Sequence, residues 1–420
     1  MKMKKLALII VALTIVASVI VWNPFNPEES GQAWARLEDE EATEQSVEDL
    51  ADGSNKFALE LLSKLSENSE KNIFFSPWSI YTALGMTYEG AKGQTASEIS
   101  STLHFPENND LRRPSFARIQ NLLNENKEYT LETANALWAQ ENYPFLDSYF
   151  NTIGDYYGGK VTNLDYAKEP QKACDTINKW VSDKTRGKIE NLIKRRMITP
   201  LTRLILTNAI YFKGDWVKQF DEDKTQKDDF WIDEEKSVQV PMMSLSGENA
   251  KFNYAETEYL KALEMPYKGE EISMLILLPK DRSGLTDLEE TIDINRLENI
   301  KTQLQEEKVS IKMPKFKFKT KYNLSKILKE MGMPTAFTTD ADFSGMNGKK
   351  SLFIDFVVHK AFIGVNEKGT EAAAATGVGK KETAIPEEKT FHANHPFLFL
   401  IQHEQTGTIL FMGEVTNPAE

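Results

Sequence analysis

Continuous apolar runs of β type crowd the second half of the chain: Leu204 to Phe212, Ile272 to Leu278, Val309 to Met313, Phe353 to Val358 and Leu398 to Ile401. Helical spacing is found earlier. Phe57, Leu61, Leu62 and Leu65 make Asn55 to Leu65 an amphipathic helix, and Ser79 to Thr87 form another entered through Ser76-Pro77. Ile177 to Val181, with Ile189 and Leu192, read as helix broken at Gly187. Helices gathered early and strands late, with no βαβ alternation, no repeat period and no Pro/Gly-rich interior linker, predict one α+β domain.

Several partner classes fall away on composition. The 50 Lys and Arg are outnumbered by 63 Asp and Glu, a formal charge of -13, which is the wrong sign for neutralising nucleic-acid phosphates. Cys174 is the single cysteine, so neither an intramolecular disulfide nor a Cys-rich zinc site can be built. With 40% hydrophobic residues the chain has ordinary core-forming capacity, and packing must supply its stability.

The first residues have the pattern of an export signal: three lysines within Met1 to Lys5, then an uncharged apolar run from Leu6 to Trp22. The small-x-small triplet Ala33-Trp34-Ala35 lies far from that run, behind Pro24 and Pro27, and no Cys follows, which disfavours a lipoprotein. Residues 1–35 are therefore read as a signal peptide or an N-terminal membrane anchor, the only expected membrane contact. Localisation is then export, either extracellular or tethered to the outer face of the membrane. Residues 36–45 are read as an acidic, solvated spacer and 46–420 as the folded domain.

No catalytic or metal-binding pattern emerges. His104, His359, His392, His395 and His403 form no His-Glu-x-x-His, there is no Gly-x-Ser-x-Gly elbow, and Gly377 to Lys381 lacks the glycine at Ala374 that a phosphate loop needs. Neither catalytic residues, metal nor cofactor are expected. The unusual segment is Glu367-Lys368-Gly369-Thr370-Glu371 followed by Ala372, Ala373, Ala374, Ala375 and Thr376. Local rules allow a short helix capped by Thr370 and Gly377. They leave unexplained why an Ala-rich stretch and a polar tail with Pro386 lie between two β-type runs, since long exposed loops in compact domains usually carry function.

Several segments match one family in family order: Asn72 to Ile80, Gly90 to Thr95, Asn208 to Trp216, His359-Lys360-Ala361, Glu367 to Thr376, and His395-Pro396-Phe397-Leu398-Phe399. From Ser46 to Pro418 the chain resembles the serpins. The resemblance implies three β-sheets, about nine helices and an exposed reactive loop. It also implies a mechanism: a serine or cysteine protease cuts the loop as a substrate, and the cut loop enters the largest sheet as a new strand, trapping the acyl-enzyme. A non-inhibitory serpin, binding or chaperone-like, is the alternative, and a true hydrolase the third reading.

Within that frame Glu367 to Thr376 is the hinge. Strand alternation turns Thr370, Ala372, Ala374, Thr376 and Val378 inward and Glu371, Ala373, Ala375, Gly377 and Gly379 outward; small inward residues avoid the roughly 1–3 kcal/mol of overpacking. Continued, it turns Lys380 and Glu382 inward, which is awkward unless they reach solvent. Counting forward from Glu367 puts the scissile bond at Thr383-Ala384, and counting back from Pro396 puts it at Ile385-Pro386. Either suits elastase-like or subtilisin-like proteases, whereas a trypsin-like cut at Lys380 or Lys381 should inactivate. Ser76, Ser79, Asn208 and His359 match the family's polar cluster beneath the sheet, and Trp216 the aromatic where the loop enters. Arg112, Arg113, Arg118 and Lys127 are scattered among acids, so no polyanion activation is expected through that early helix. A monomer is the default.

Overall fold

The computed structural model describes residues 36–67, 71–143, 145–371 and 388–420. The hinge residues Ala372 to Thr376 and both candidate bonds, Thr383-Ala384 and Ile385-Pro386, lie outside the described residues, as does the apolar run Leu6 to Trp22. Among the described residues no helix is long and apolar enough to cross a membrane.

Ten α-helices are described: α1 (Glu44–Ser66), α2 (Pro77–Tyr88), α3 (Gly93–Thr102), α4 (Asn109–Glu125), α5 (Asp147–Tyr157), α6 (Pro170–Lys184), α7 (Leu285–Thr291), α8 (Ile294–Thr302), α9 (Ser325–Met331) and α10 (Ser344–Asn347). The strands are β1 (Ile73–Phe75), β2 (Tyr129–Gln140), β3 (Lys160–Leu164), β4 (Leu204–Asp215), β5 (Gln226–Trp231), β6 (Ser237–Leu245), β7 (Lys251–Glu256), β8 (Leu260–Pro266), β9 (Ile272–Pro279), β10 (Gln305–Pro314), β11 (Phe316–Asn323), β12 (Ile354–Asn366), β13 (Gly369–Thr370), β14 (Lys389–His392), β15 (Phe397–His403) and β16 (Ile409–Val415). Each of the five apolar runs falls within a strand, apart from Phe353, which precedes β12.

The helix starts follow local chemistry. Thr43 and Ser46 form a reciprocal capping box, so α1 begins well before the Asn55 suggested by its apolar spacing. Ser76 accepts the Ser79 N–H with Pro77 in the first turn, which sets the start of α2. The acidic stretch before α1 is exposed at most positions but anchored at two: Leu37 and Asp39 are buried, and Leu37 exchanges hydrogen bonds of 2.9 and 3.0 Å with the Asn121 side chain of α4. Asn121 satisfies the backbone there, and Arg118 pairs with Asp39, so a charged segment can lie flat on the body.

One sheet runs β11-β12-β13-β4-β2-β3. The other two expected sheets merge through β10, which pairs with β7 by Gln305 to Lys308 and with β6 by Ile311 to Pro314. The six-stranded sheet is covered on both faces, by the main core and by a smaller cluster that joins Trp138 and Ile205 of the sheet to Ile177 and Val181 of α6. That explains why β4 and β12 are apolar nearly throughout instead of alternating.

Candidate functional site

The arrangement of β4, β12 and β13 positions the site. β12 and β4 are parallel and directly bonded from Ile354↔Leu204 to Ala361↔Ile210. Beyond that they diverge, and β13 sits between them, Thr370 opposite both Val365 of β12 and Gly214 of β4. Two residues of the segment before the Ala-rich stretch thus already form a strand, and the rest of the gap is closed by β12 on β4.

The turn that feeds β13 is tied down at each residue. Trp216 donates its backbone N–H to Lys368 O (2.7 Å) and its indole N–H to Asn366 O (3.1 Å), while the Phe220 N–H reaches Glu367 O at 2.8 Å. Glu367 is buried, and burial alone would raise its carboxyl; the Lys315 ammonium at 2.8 Å and the Thr225 hydroxyl at 2.7 Å outweigh that and hold it below the usual range. Gly369 is required on steric grounds, since a Cβ there would stand 2.0 Å from the Gly214 carbonyl oxygen.

Thr370 and Glu371 face opposite sides. The Thr370 hydroxyl meets the Tyr267 hydroxyl at 2.7 Å inside the main core, where Tyr267 stacks on Trp216 with ring centres 4.3 Å apart. Thr370 is strand, not a helix cap, because the β4 and β12 ladders offer its backbone more than a cap would. Glu371 turns to the α6 side, 2.9 Å from Lys188 and hydrogen-bonded to Tyr211, whose phenol is raised to about 12 by burial and then by that carboxylate. Its φ of 57° is left-handed, and its N–H donates to Gly364 O at 2.8 Å.

A second polar group lies lower on the same strands. His359 and Asn208 are opposite each other across the β12/β4 ladder, and the His359 Nδ1–H donates to Asn208 Oδ1. His359 Nε2 accepts the Ser76 N–H at 3.1 Å, which fixes a neutral imidazole; complete burial pushes its pKa down to about 3. Asn208 donates to Ser79 Oγ at 2.6 Å and to Asn135 Oδ1 on β2, and the Ser76 hydroxyl donates to Leu410 O at 2.6 Å. Ser76, Ser79, Asn208 and His359 are therefore one buried network. Asn135, Tyr267 and Lys188 were missed in the sequence, where an isolated Asn, Tyr or Lys carries no local signal.

A short strand wedged between two otherwise bonded parallel strands, over a buried polar network that spans them, agrees with the family comparison. Residues 52–418 match the family model described as serpin (serine protease inhibitor). The chain belongs to the serpin family. It is 42% identical over 373 residues to an uncharacterized serpin-like protein of Methanosarcina acetivorans, covering 88% of this chain and 86% of that one. The leukocyte elastase inhibitor of Xenopus laevis is 38% identical over 380 residues, covering 89% and 100%. Among solved structures, human thyroxine-binding globulin with thyroxine superposes with a TM-score of 0.81 at 30% identity, over 89% of this serpin and all of that chain.

Proposed function

We propose that this serpin inhibits a serine protease of elastase-like or subtilisin-like preference as a suicide substrate, by insertion of its cut loop between β4 and β12. The observation that carries this reading is β13: two residues already occupy the first positions of the missing strand. Below them β4 and β12 share a parallel ladder that a new antiparallel strand can replace on both sides. The Ala-rich stretch from Ala372 to Ala375 supplies small side chains for that slot. Likeness to an elastase inhibitor supports the target class. The chain then acts on proteases without being an enzyme, as a monomer. Residues 1–35 act as an export signal or outer-face tether.

The test mixes the full chain separately with pancreatic-type elastase, subtilisin and trypsin. A denaturant-resistant band at the summed mass, with a released peptide beginning at Ala384 or Pro386, is expected with elastase or subtilisin. Cleavage by all three with no such band overturns inhibition. That result would favour a binding role, the second reading, which the likeness to a thyroxine-bound globulin supports.

A further inference from the structure

Lys160 opens β3, an edge strand of the six-stranded sheet, which pairs in parallel with β2 so that Lys160 lies opposite Ala136 and Thr162 opposite Trp138. Its ammonium stands 5.1 Å from the centre of the Trp138 ring and 5.5 Å from that of Trp180 on α6, and the two indoles meet edge to face with centres 5.4 Å apart. Trp138 is fully buried and donates its indole N–H to the Thr207 hydroxyl of β4 at 2.8 Å, so one side of this seat is fixed to the sheet while the other rides on the helix. Burial, then the charge of Lys184, lowers the Lys160 pKa, and among the described residues no carboxylate pairs with it, in a chain with 63 acids and 50 bases. The two indole faces supply the attraction that an acid would otherwise provide. A lysine whose stem merely lay across the rings would carry its ammonium on to solvent.

α6 and the loop after it cover the seam between β4 and β12: Ile177 and Val181 of the helix share one cluster with Ile205 and Ala209 of β4 and Phe356 and Val358 of β12. A strand entering that seam has to pass beneath α6, so the helix has to lift. Among the described residues the side-chain hydrogen bonds and ion pairs of α6 stay within residues 169–193, as in Lys172 with Glu169, Lys179 with Asp183 and Asn178 with Ile193. The seat of the Lys160 ammonium is the electrostatic tie that joins helix to sheet. We propose that Lys160 is a positioning residue for insertion: held against Trp138 and Trp180, it pins α6 to the β2 and β3 side of the sheet and sets the rate at which a strand passes beneath the helix. The inference rests on the insertion between β4 and β12 proposed above. Apolar contacts under α6 are non-directional and re-form as the helix shifts, whereas a cation between two rings holds in one place.

The full chain is compared with Lys160→Met, which keeps the stem and removes the charge, with Lys160→Arg, which keeps the charge, and with Lys349→Met as a remote control. Uptake of a synthetic peptide of the 370–383 sequence is followed on native gels, and hydrogen exchange of the α6 amides is measured on the same proteins without peptide. Lys160→Met should take up the peptide about five-fold faster than wild type, the factor that loss of one cation–π seat of this kind allows, and its α6 amides should exchange faster. Lys160→Arg and Lys349→Met should match wild type in both readouts. Should Lys160→Met not fold, Lys160→Gln carries the same expectation. Uptake as fast in Lys160→Arg as in Lys160→Met would assign the effect to packing instead of charge and overturn the proposal, as would one uptake rate shared by all the chains, which leaves insertion itself standing. No uptake by any chain, wild type included, would overturn insertion between β4 and β12 and this inference with it.

Discussion

If the cut loop enters the sheet as proposed, Thr370 is the point at which a single side chain decides between trapping and simple cleavage. It is 2% exposed and hydrogen-bonded to Tyr267, so a charge there must be desolvated in the main core both before and after the strand extends. Thr370→Arg is expected to shift the outcome from trapped complex to cleaved inhibitor, with covalent product falling at least several-fold on denaturing gels and the native midpoint dropping as well. Undiminished trapping would show that the buried position does not govern insertion. His359 carries a pH signature. Its folded pKa, about 3, lies below the ordinary 6.5, so its contribution is fully present above pH 6.5 and is lost as pH falls towards 3, at up to about 1.4 kcal/mol per pH unit. His359→Gln should be less stable at pH 8, by about 1–3 kcal/mol for the disrupted network, yet show a flatter loss of stability between pH 6.5 and 3 in denaturant titrations.

At the scale of elements, the proposed insertion requires β12 to leave β4, and two polar attachments resist that separation. One is the His359/Asn208 bond across the ladder; the other is Glu371, held left-handed by Lys188, Tyr211 and Gly364 just past β13. A strand continuing through Glu371 needs extended backbone there, so the turn and its ion pair must break first. Lys188→Ala is expected to speed uptake of an exogenous peptide of the 370–383 sequence by several-fold, followed by native gels, with little change in the unfolding midpoint since the pair is partly exposed. An unchanged rate would mean that the turn at Glu371 is not limiting. The strands themselves were legible in sequence because β4, β9, β10, β12 and β15 are apolar runs. β2 was not: in its first third the half-buried Thr130, Glu132 and Thr133 surround a buried Leu131, and its role is defined by lying beside β4. The upstream half of α1 was hidden for a similar reason, since its acids mask the buried Val47 and Leu50.

For the whole molecule, adding a central strand is a large term. If the cut loop forms on the order of ten new ladder bonds, at about 1 kcal/mol net each, the midpoint should rise by roughly twenty degrees at about 2 °C per kcal/mol for a chain of this size. Calorimetry before and after limited cleavage in the loop checks it, and an unchanged midpoint would mean that no strand was added. A second global effect comes from Glu414 of β16, hydrogen-bonded to Glu289 of α7. Burial, and then the Glu289 charge, raises the Glu414 carboxyl well above 4.5. The stability it contributes is therefore full below that value and lost as pH climbs through the raised one. Glu414→Gln should match wild type at pH 4 and exceed it at pH 8 in thermal scans.

Apolar runs and family segments are local properties of the chain, and they alone determined the α+β class and the serpin family. Tertiary structure decided what depends on distant residues meeting. It placed Asn135 beside Asn208, Tyr267 under Thr370, and Lys188 against Glu371, and it anchored Leu37 to Asn121 of α4. Each of these is a balance of desolvation against a partner far away in sequence, and the sign of such a balance is undefined until the partner is in place.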